Sequence, residues 1–195
     1  AWEGFDVDMV PFGRDVDTED LEDADMVIVL PVHDYPSRDG DVDLYDEAFT
    51  EPEIDVLEDY ARGGGFLVLT NSAHRLKYYN YVFEANEDWS DLNPLADRFN
   101  IQFHSNVLPG AEATVSTTHP LVTGVDAIAM APDNGVTMTH SGGRVLARVD
   151  DETAVLLRDV GAGQVLVLSD LGMLGNNGDA PENLRFWRNL AVYAR

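Results

Sequence analysis

Apolar and polar positions fall in blocks along this chain. Met26 to Leu30, MVIVL, and Phe66 to Leu69, FLVL, are continuous apolar runs of strand length. Such runs, separated by a helix, indicate parallel strands covered on both faces. The intervening helix has a complete set of signals. Thr50 with Glu53 makes a capping-box pattern, Ile54, Leu57, Tyr60 and Ala61 lie on one face, and Gly63 to Gly65 end it. Gly4 to Pro11 reads as a further strand, and Thr18 to Asp23 as a short helix.

Beyond His74, the aromatic segment Leu76 to Glu87, with Tyr78, Tyr79, Tyr81 and Phe83, reads as a helix or irregular cover, and Asn93 to Phe99 as another short helix. Thr114 to Gly124 reads as a loop and Ala127 to Met130 as a short strand. From Val136 the period becomes that of strand and turn. Val145 to Val149, Ala154 to Leu157 and Val165 to Leu168 are divided by turns at Asp150 to Asp151 and Gly161 to Gly163. This predicts an antiparallel meander whose last strand rejoins the main sheet. Asp179, Pro181 and Glu182 open a final helix with the predicted stripe Leu184, Trp187, Leu190 and Ala191.

The sum is a single α/β domain over residues 1–195. Its predicted form is a three-layer αβα flavodoxin-like, mostly parallel sheet with an antiparallel C-terminal extension. Ala1 to Gly4 reads as the last turn of a helix, Gly4 being its cap. A doubly wound sheet places a strand and a helix before such a point. The expectation is therefore that the first βα unit lies upstream and that the chain is a fragment of a longer protein.

Charge changes this picture more than composition does. The chain has 36 acidic residues against 12 basic ones, Lys77 being the one lysine, for a net charge of −24. That surface repels nucleic acid phosphates, so no nucleic acid partner is expected. Its self-repulsion opposes compaction at low ionic strength, whereas molar salt, with a Debye length of roughly 3 Å, screens it. Aspartate excess with almost no lysine is the pattern of a halophile, as in salt-loving archaea. No apolar run approaches the ~18 residues of a membrane-crossing helix. Without cysteine there is no disulfide, thiolate metal site or cysteine nucleophile.

Four segments carry a family resemblance: DADMVIVLP (Asp23 to Pro31), EIDVLEDYARGGGFLVLTN (Glu53 to Asn71), THPLVTGV (Thr118 to Val125) and GAGQVLVLSDLGMLGN (Gly161 to Asn176). Together they resemble the class I glutamine amidotransferase-like superfamily, in its uncharacterised, non-catalytic branch related to trehalose-utilisation-like domains. The resemblance implies a nucleophile elbow after Phe66 to Leu69. Here that turn reads Thr-Asn-Ser-Ala-His, without the flanking glycines of a tight elbow. It also implies a role in binding a sugar or a protein partner, within a larger, cell-surface protein.

Ligands of open α/β sheets sit beyond the carboxyl ends of the strands. The candidate ligand-binding residues there are His33, Asp34 and Tyr35; Asn71, Ser72, His74 and Arg75; and Ser169, Asp170, Asn176 and Asn177. The same groups also suit the plain task of satisfying loop backbone. A hydrolase reading takes Ser72 as nucleophile, His74 or His119 as base, Asp170 or Asp34 as orienting acid and the Ala73 amide as oxyanion donor. His119, in Thr-His-Pro, equally reads as a residue that fixes its own turn. Asp39, Asp41, Asp43 and Glu47 resemble a calcium loop, but Leu44 and Thr50 replace its glycine and its bidentate glutamate. His33 and Asp34 lack a third ligand for zinc.

Three functions are thus carried forward. The first is a non-catalytic binding or structural domain, with other domains or chains of a larger protein as partners. The second is an esterase- or amidase-type hydrolase using Ser72. The third is an architectural subunit of a surface layer or filament, with Tyr78 to Trp89 as an interface. No cofactor is expected apart from the candidate calcium.

Overall fold

The computed structural model describes residues 6–11, 14–31, 49–73, 91–174 and 181–194. Nine strands and four helices occur among them, in a mixed α/β arrangement. The two apolar runs become β1 (Met26–Val29) and β2 (Phe66–Thr70), joined by α2 (Glu51–Gly63). They pair in parallel, Met26 opposite Phe66 and Val29 opposite Leu69. β9 (Gly163–Leu168) lies parallel on the other side of β2, so the predicted return of the last strand to the main sheet is observed.

Antiparallel pairing then takes over. β9 leads to β8 (Glu152–Val160), β7 (Arg144–Val149), β4 (Glu112–Val115) and β5 (Ala127–Ala129), giving the order β1-β2-β9-β8-β7-β4-β5. Two parallel pairings stand against four antiparallel ones, so this sheet is mixed and the expected mostly parallel order holds at one side only. β3 (Ile101–Leu108) and β6 (Gly135–His140), which the periodicity did not reveal, form a separate antiparallel ribbon. Their alternation is broken by a register shift between Phe103 and Val107, which hides the period of two.

The central strands are buried on both faces. In β2, Leu67 and Leu69 join a core with Ile54, Leu57 and Ala61 of α2, Leu95 of α3 (Asn93–Asp97), and Phe103 and Val136 of the ribbon. Phe66 and Val68 join a second core with Phe186 and Leu190 of α4 (Pro181–Tyr193). Each Val, Leu, Ile or Phe side chain so buried stabilises the fold by about 1.5–3 kcal/mol relative to exposure. This two-sided burial is why the strands read as continuous apolar runs rather than as alternation.

The ends of the helices are built as the sequence indicates, with two corrections. The backbone N–H and hydroxyl of Thr50 both donate to Glu53 Oε2, at 2.9 and 2.8 Å, and Glu53 Oε1 accepts from Val16 N. The predicted helix after Asp17 runs over Thr18–Leu21 (α1). Asp6 to Pro11, however, forms no strand. Val7 is 86% exposed and Met9 77%, and neither joins a core cluster. In α4 the buried face is Asn183, Phe186 and Leu190, while Leu184 turns outward. The buried amide of Asn183 exchanges two hydrogen bonds with the backbone of Ala129, and Glu182 accepts from Ala127 N, so the start of α4 closes the backbone edge of β5.

Thr114 and Val115 belong to β4 rather than to a loop, and the loop that follows tightens into a 3₁₀ turn over Pro120–Val122. Ala1 to Gly4 and Leu76 to Glu87 lie outside the described residues.

Two glycine-containing turns, Gly63–Gly65 and Gly161–Gly163, meet at the amino ends of β2 and β9. Gly64, at φ +126°, ends α2, and the turn Gly161–Gly163 lies against the last carbonyls of that helix. Ala162 N donates to Arg62 O at 2.9 Å and Gln164 N to Gly65 O at 3.1 Å. A Cβ on Gly163 would overlap the carbonyl oxygens of Ala61 and Gly65. Gly163→Ala is expected to lower stability by about 1–3 kcal/mol. Gly63→Ala, whose added methyl meets no atom within 4 Å, should instead raise it by up to about 1 kcal/mol. Urea unfolding of the two variants in high salt measures both.

Candidate functional site

β2 and β9 deliver their exits side by side, since Thr70 pairs with Leu168. Asn71 N donates to Leu168 O at 3.2 Å and Leu171 N to Asn71 O at 2.7 Å, which stitches the two exits together. Thr70 Oγ1 adds a bond to Val29 O from β1. Asn71, Ser72, Ser169 and Asp170 therefore do converge as the sequence predicts. His33, Asp34, Tyr35, His74, Arg75, Asn176 and Asn177 lie outside the described residues.

The centre of the cluster is Asn134, in the turn between β5 and β6, a residue that sequence reasoning missed. Its Nδ2 donates to Ser72 Oγ at 2.8 Å and to Asp170 Oδ1 at 2.6 Å. Asp170, with 0% exposure, also accepts from Ala131 N at 2.7 Å and from Gly172 N at 2.9 Å. The last bond caps the 3₁₀ turn Leu171–Met173. The one advance sign of this cluster is the Asp-Asn-Gly turn signal, where Asp133 takes φ +47° and exchanges bonds with Gly110. A turn signal says nothing of which strand end the turn will reach.

These bonds bear directly on the hydrolase chemistry. The amide nitrogen of Asn134 is a donor without a lone pair to take a proton, so it cannot act as base toward Ser72. Ala73 N, the expected oxyanion donor, is bonded to Asn134 O at 2.6 Å, and Ser72 N to Asn71 Oδ1 at 2.8 Å. A nucleophile elbow holds its nucleophile in strained backbone. Positive φ among the described non-glycine residues occurs instead at Asn100, Asp133 and Asp150. Asp170 acts here as a buried acceptor tying three segments together, not as the partner of a histidine.

His119 is at the other end of the molecule. It caps the 3₁₀ turn Pro120–Val122, its Nδ1 accepting from Leu121 N at 3.3 Å, as the turn-fixing reading expects. It lines a cleft of about 560 Å³ with Gln164, the second residue of β9. Asp170 follows Gln164 by six residues, roughly 20 Å along a strand. His119 is therefore excluded as the base for Ser72.

The metal reading of Asp39, Asp41, Asp43 and Glu47 lies outside the described residues. Among the described residues there is no group of three or more His, Cys, Asp or Glu side chains arranged to hold a metal ion. Likewise, no described helix is long and apolar enough to cross a membrane.

No protein-family model matches the chain, and no curated protein matches it. Solved structures do. A structure described as the mmIFT52 N-terminal domain is 14% identical, with a TM-score of 0.63 over 93% of this chain and 81% of that one. The cytoplasmic protein STM1381 from Salmonella typhimurium LT2 is 16% identical, with a TM-score of 0.61 over 91% and 75%. The cytoplasmic protein STM3548 from Salmonella typhimurium is 11% identical, with a TM-score of 0.60 over 91% and 74%. At these identities the likeness is one of fold.

Two expectations follow. Asp170→Ala removes the acceptor of three part-buried donors, of which Asn134 Nδ2 keeps Ser72 Oγ, and should cost about 2–3 kcal/mol, read as a lowered urea midpoint. Burial, and after it Arg144, lowers the pKa of His119 below its ordinary value near 6.5. A depressed folded value means that the stabilising contribution is present above about pH 6.5 and is lost as pH falls through the folded value. The wild-type-minus-variant difference in melting temperature for His119→Gln should therefore decline as pH falls through that window. His119 is partly exposed, so the effect should be small.

Proposed function

We propose that this chain is a non-catalytic binding or structural domain, of the amidotransferase-like and flavodoxin-like type, adapted to high salt. One observation carries the reading. The groups at the positions of a nucleophile and its acid, Ser72 and Asp170, are bridged by the Asn134 amide at 2.8 and 2.6 Å. With the Ala73 amide also bonded to Asn134 O, Ser72, Ala73 and Asp170 all serve to hold three loops together. Such an edge is suited to presenting a rigid surface rather than to moving protons.

The three-layer character of the fold is supported by the two cores. One lies against α2, α3 and the ribbon, the other against α4. The charge of −24, with 36 acids against 12 basic residues, supports adaptation to salt. A sugar or a protein partner is the ligand class proposed for the carboxyl edge, on the resemblance to trehalose-utilisation-like domains.

The test is a comparison of wild type and Ser72→Ala in molar KCl, with ester, amide and glycoside substrates. No turnover that the substitution removes is expected. Thermal unfolding should show the variant folded and weaker by about 1 kcal/mol, from the lost acceptor of one amide bond. Turnover abolished by Ser72→Ala in a folded protein would establish a serine nucleophile and overturn this reading.

A further inference from the structure

We infer that the cleft at the amino ends of the central strands binds a small organic oxyanion, a carboxylate or a phosphate monoester, through Arg144 and His119. The inference concerns the end of the sheet remote from Ser72 and stands independently of the function proposed above.

The first argument is the state of Arg144. In a chain with three acids for every basic residue, an arginine is expected to be taken by a carboxylate. Arg14, Arg62 and Arg98 are so taken, and Arg148, Arg158 and Arg185 donate to backbone carbonyls. Arg144 and Arg188 have neither kind of bond among the described residues, and of the two Arg144 lines the cleft. Its planar fork of donors matches the paired oxygens of a carboxylate or phosphate.

The second argument is the orientation of His119. Because Nδ1 accepts from Leu121 N, the ring proton of the neutral imidazole sits on Nε2. The ring meets Tyr193 edge-on at 5.2 Å, which fixes its plane. Arg144 and His119 thus bring a cation and an imidazole N–H to one concavity.

The surroundings suit an anion with a carbon skeleton. The volume of about 560 Å³ is that of a small-molecule site, and Leu157 and the Tyr193 ring supply apolar wall. Gly142 and Gly143, at φ +82° and +85°, turn the chain into β7 and place Arg144 opposite Leu157. A Cβ on Gly143 would press on Leu156 Cδ1 and Leu157 O at 3.0 Å, so the turn needs a residue without one. The lining carboxylate, Asp159, accepts from Gln164 Nε2 at 2.7 Å. At His119 the field of Arg144 outweighs that of Asp159.

The experiment follows the His119 ring protons by NMR at constant molar KCl, which keeps general screening equal in every arm. The probes are inorganic phosphate, acetate, glucose 6-phosphate and glucose. A saturable shift with the phosphates, with acetate or with both is expected, and which arms respond identifies the oxyanion. Glucose should leave the resonances unmoved. Arg144→Gln should weaken the binding by about tenfold or more, while Arg144→Lys, which keeps the charge but not the fork, should weaken it less. No saturable shift with any anion, an equal shift with glucose, or undiminished affinity in a folded Arg144→Gln protein overturns the inference.

Discussion

The parallel pairing of β2 with β9 joins Phe66 to Gln164 and Thr70 to Leu168, segments 98 residues apart in the chain (164 − 66), toward one side of a seven-stranded sheet. Both strands are apolar on both faces, so neither can be stable without a layer on each side. One face draws α2, α3 and the β3–β6 ribbon, and the other draws α4. The cost of closing so long a loop is offset by two cores that form together around the same strands. Antiparallel strands from β8 to β5 then extend the sheet by local hairpin steps and one return through β4.

The same pairing gives the molecule two unlike ends. At the carboxyl end the exits of β2 and β9 lie too close together for their polar residues to remain apart. Asp170, fully buried, is held by three donors from the 3₁₀ turn and from the loop before β6. At the amino end the glycines at 63–65, 161 and 163 let α2 and the β8–β9 turn approach at backbone distance, and the remaining space on the α4 side becomes the cleft lined by Arg144 and His119. A buried carboxylate is tolerated at the first end because it is saturated with hydrogen bonds. An exposed arginine is retained at the second within a surface of opposite sign.

Cations are scarce enough that their placement shapes the structure. Arg98 reaches Glu51, Asp55 and Glu58 of α2, and Glu58 is also held by Arg62, so one face of that helix is screened by two arginines. These pairs are largely exposed, and each contributes little on its own in water. Their value lies in relieving repulsion within a helix whose first turn already holds Glu51 and Glu53. Salt supplies the same relief more generally to a chain of net charge −24.

Local chemistry by itself determined α2 with its box and glycine stop, β1 and β2 as two-sided strands, the meander from β7 to β9 and its turns, and the start of α4. In each, the signal lies within a few residues: a cap, a period, a breaker. It also brought Asn71, Ser72 and Asp170 to one edge, because residues after parallel strands share an end. Tertiary structure alone decided the rest. The β3–β6 ribbon was hidden by its broken register, and Gly4 to Pro11 read as a strand although its described part, Asp6 to Pro11, forms none. Asn134 emerged from an ordinary turn to bridge Ser72 and Asp170, and Arg144, Gln164 and Tyr193 met His119 from four separate elements. No local pattern encodes which donors will lie within 3 Å of a given acceptor; that is set by the packing of both cores around β2 and β9.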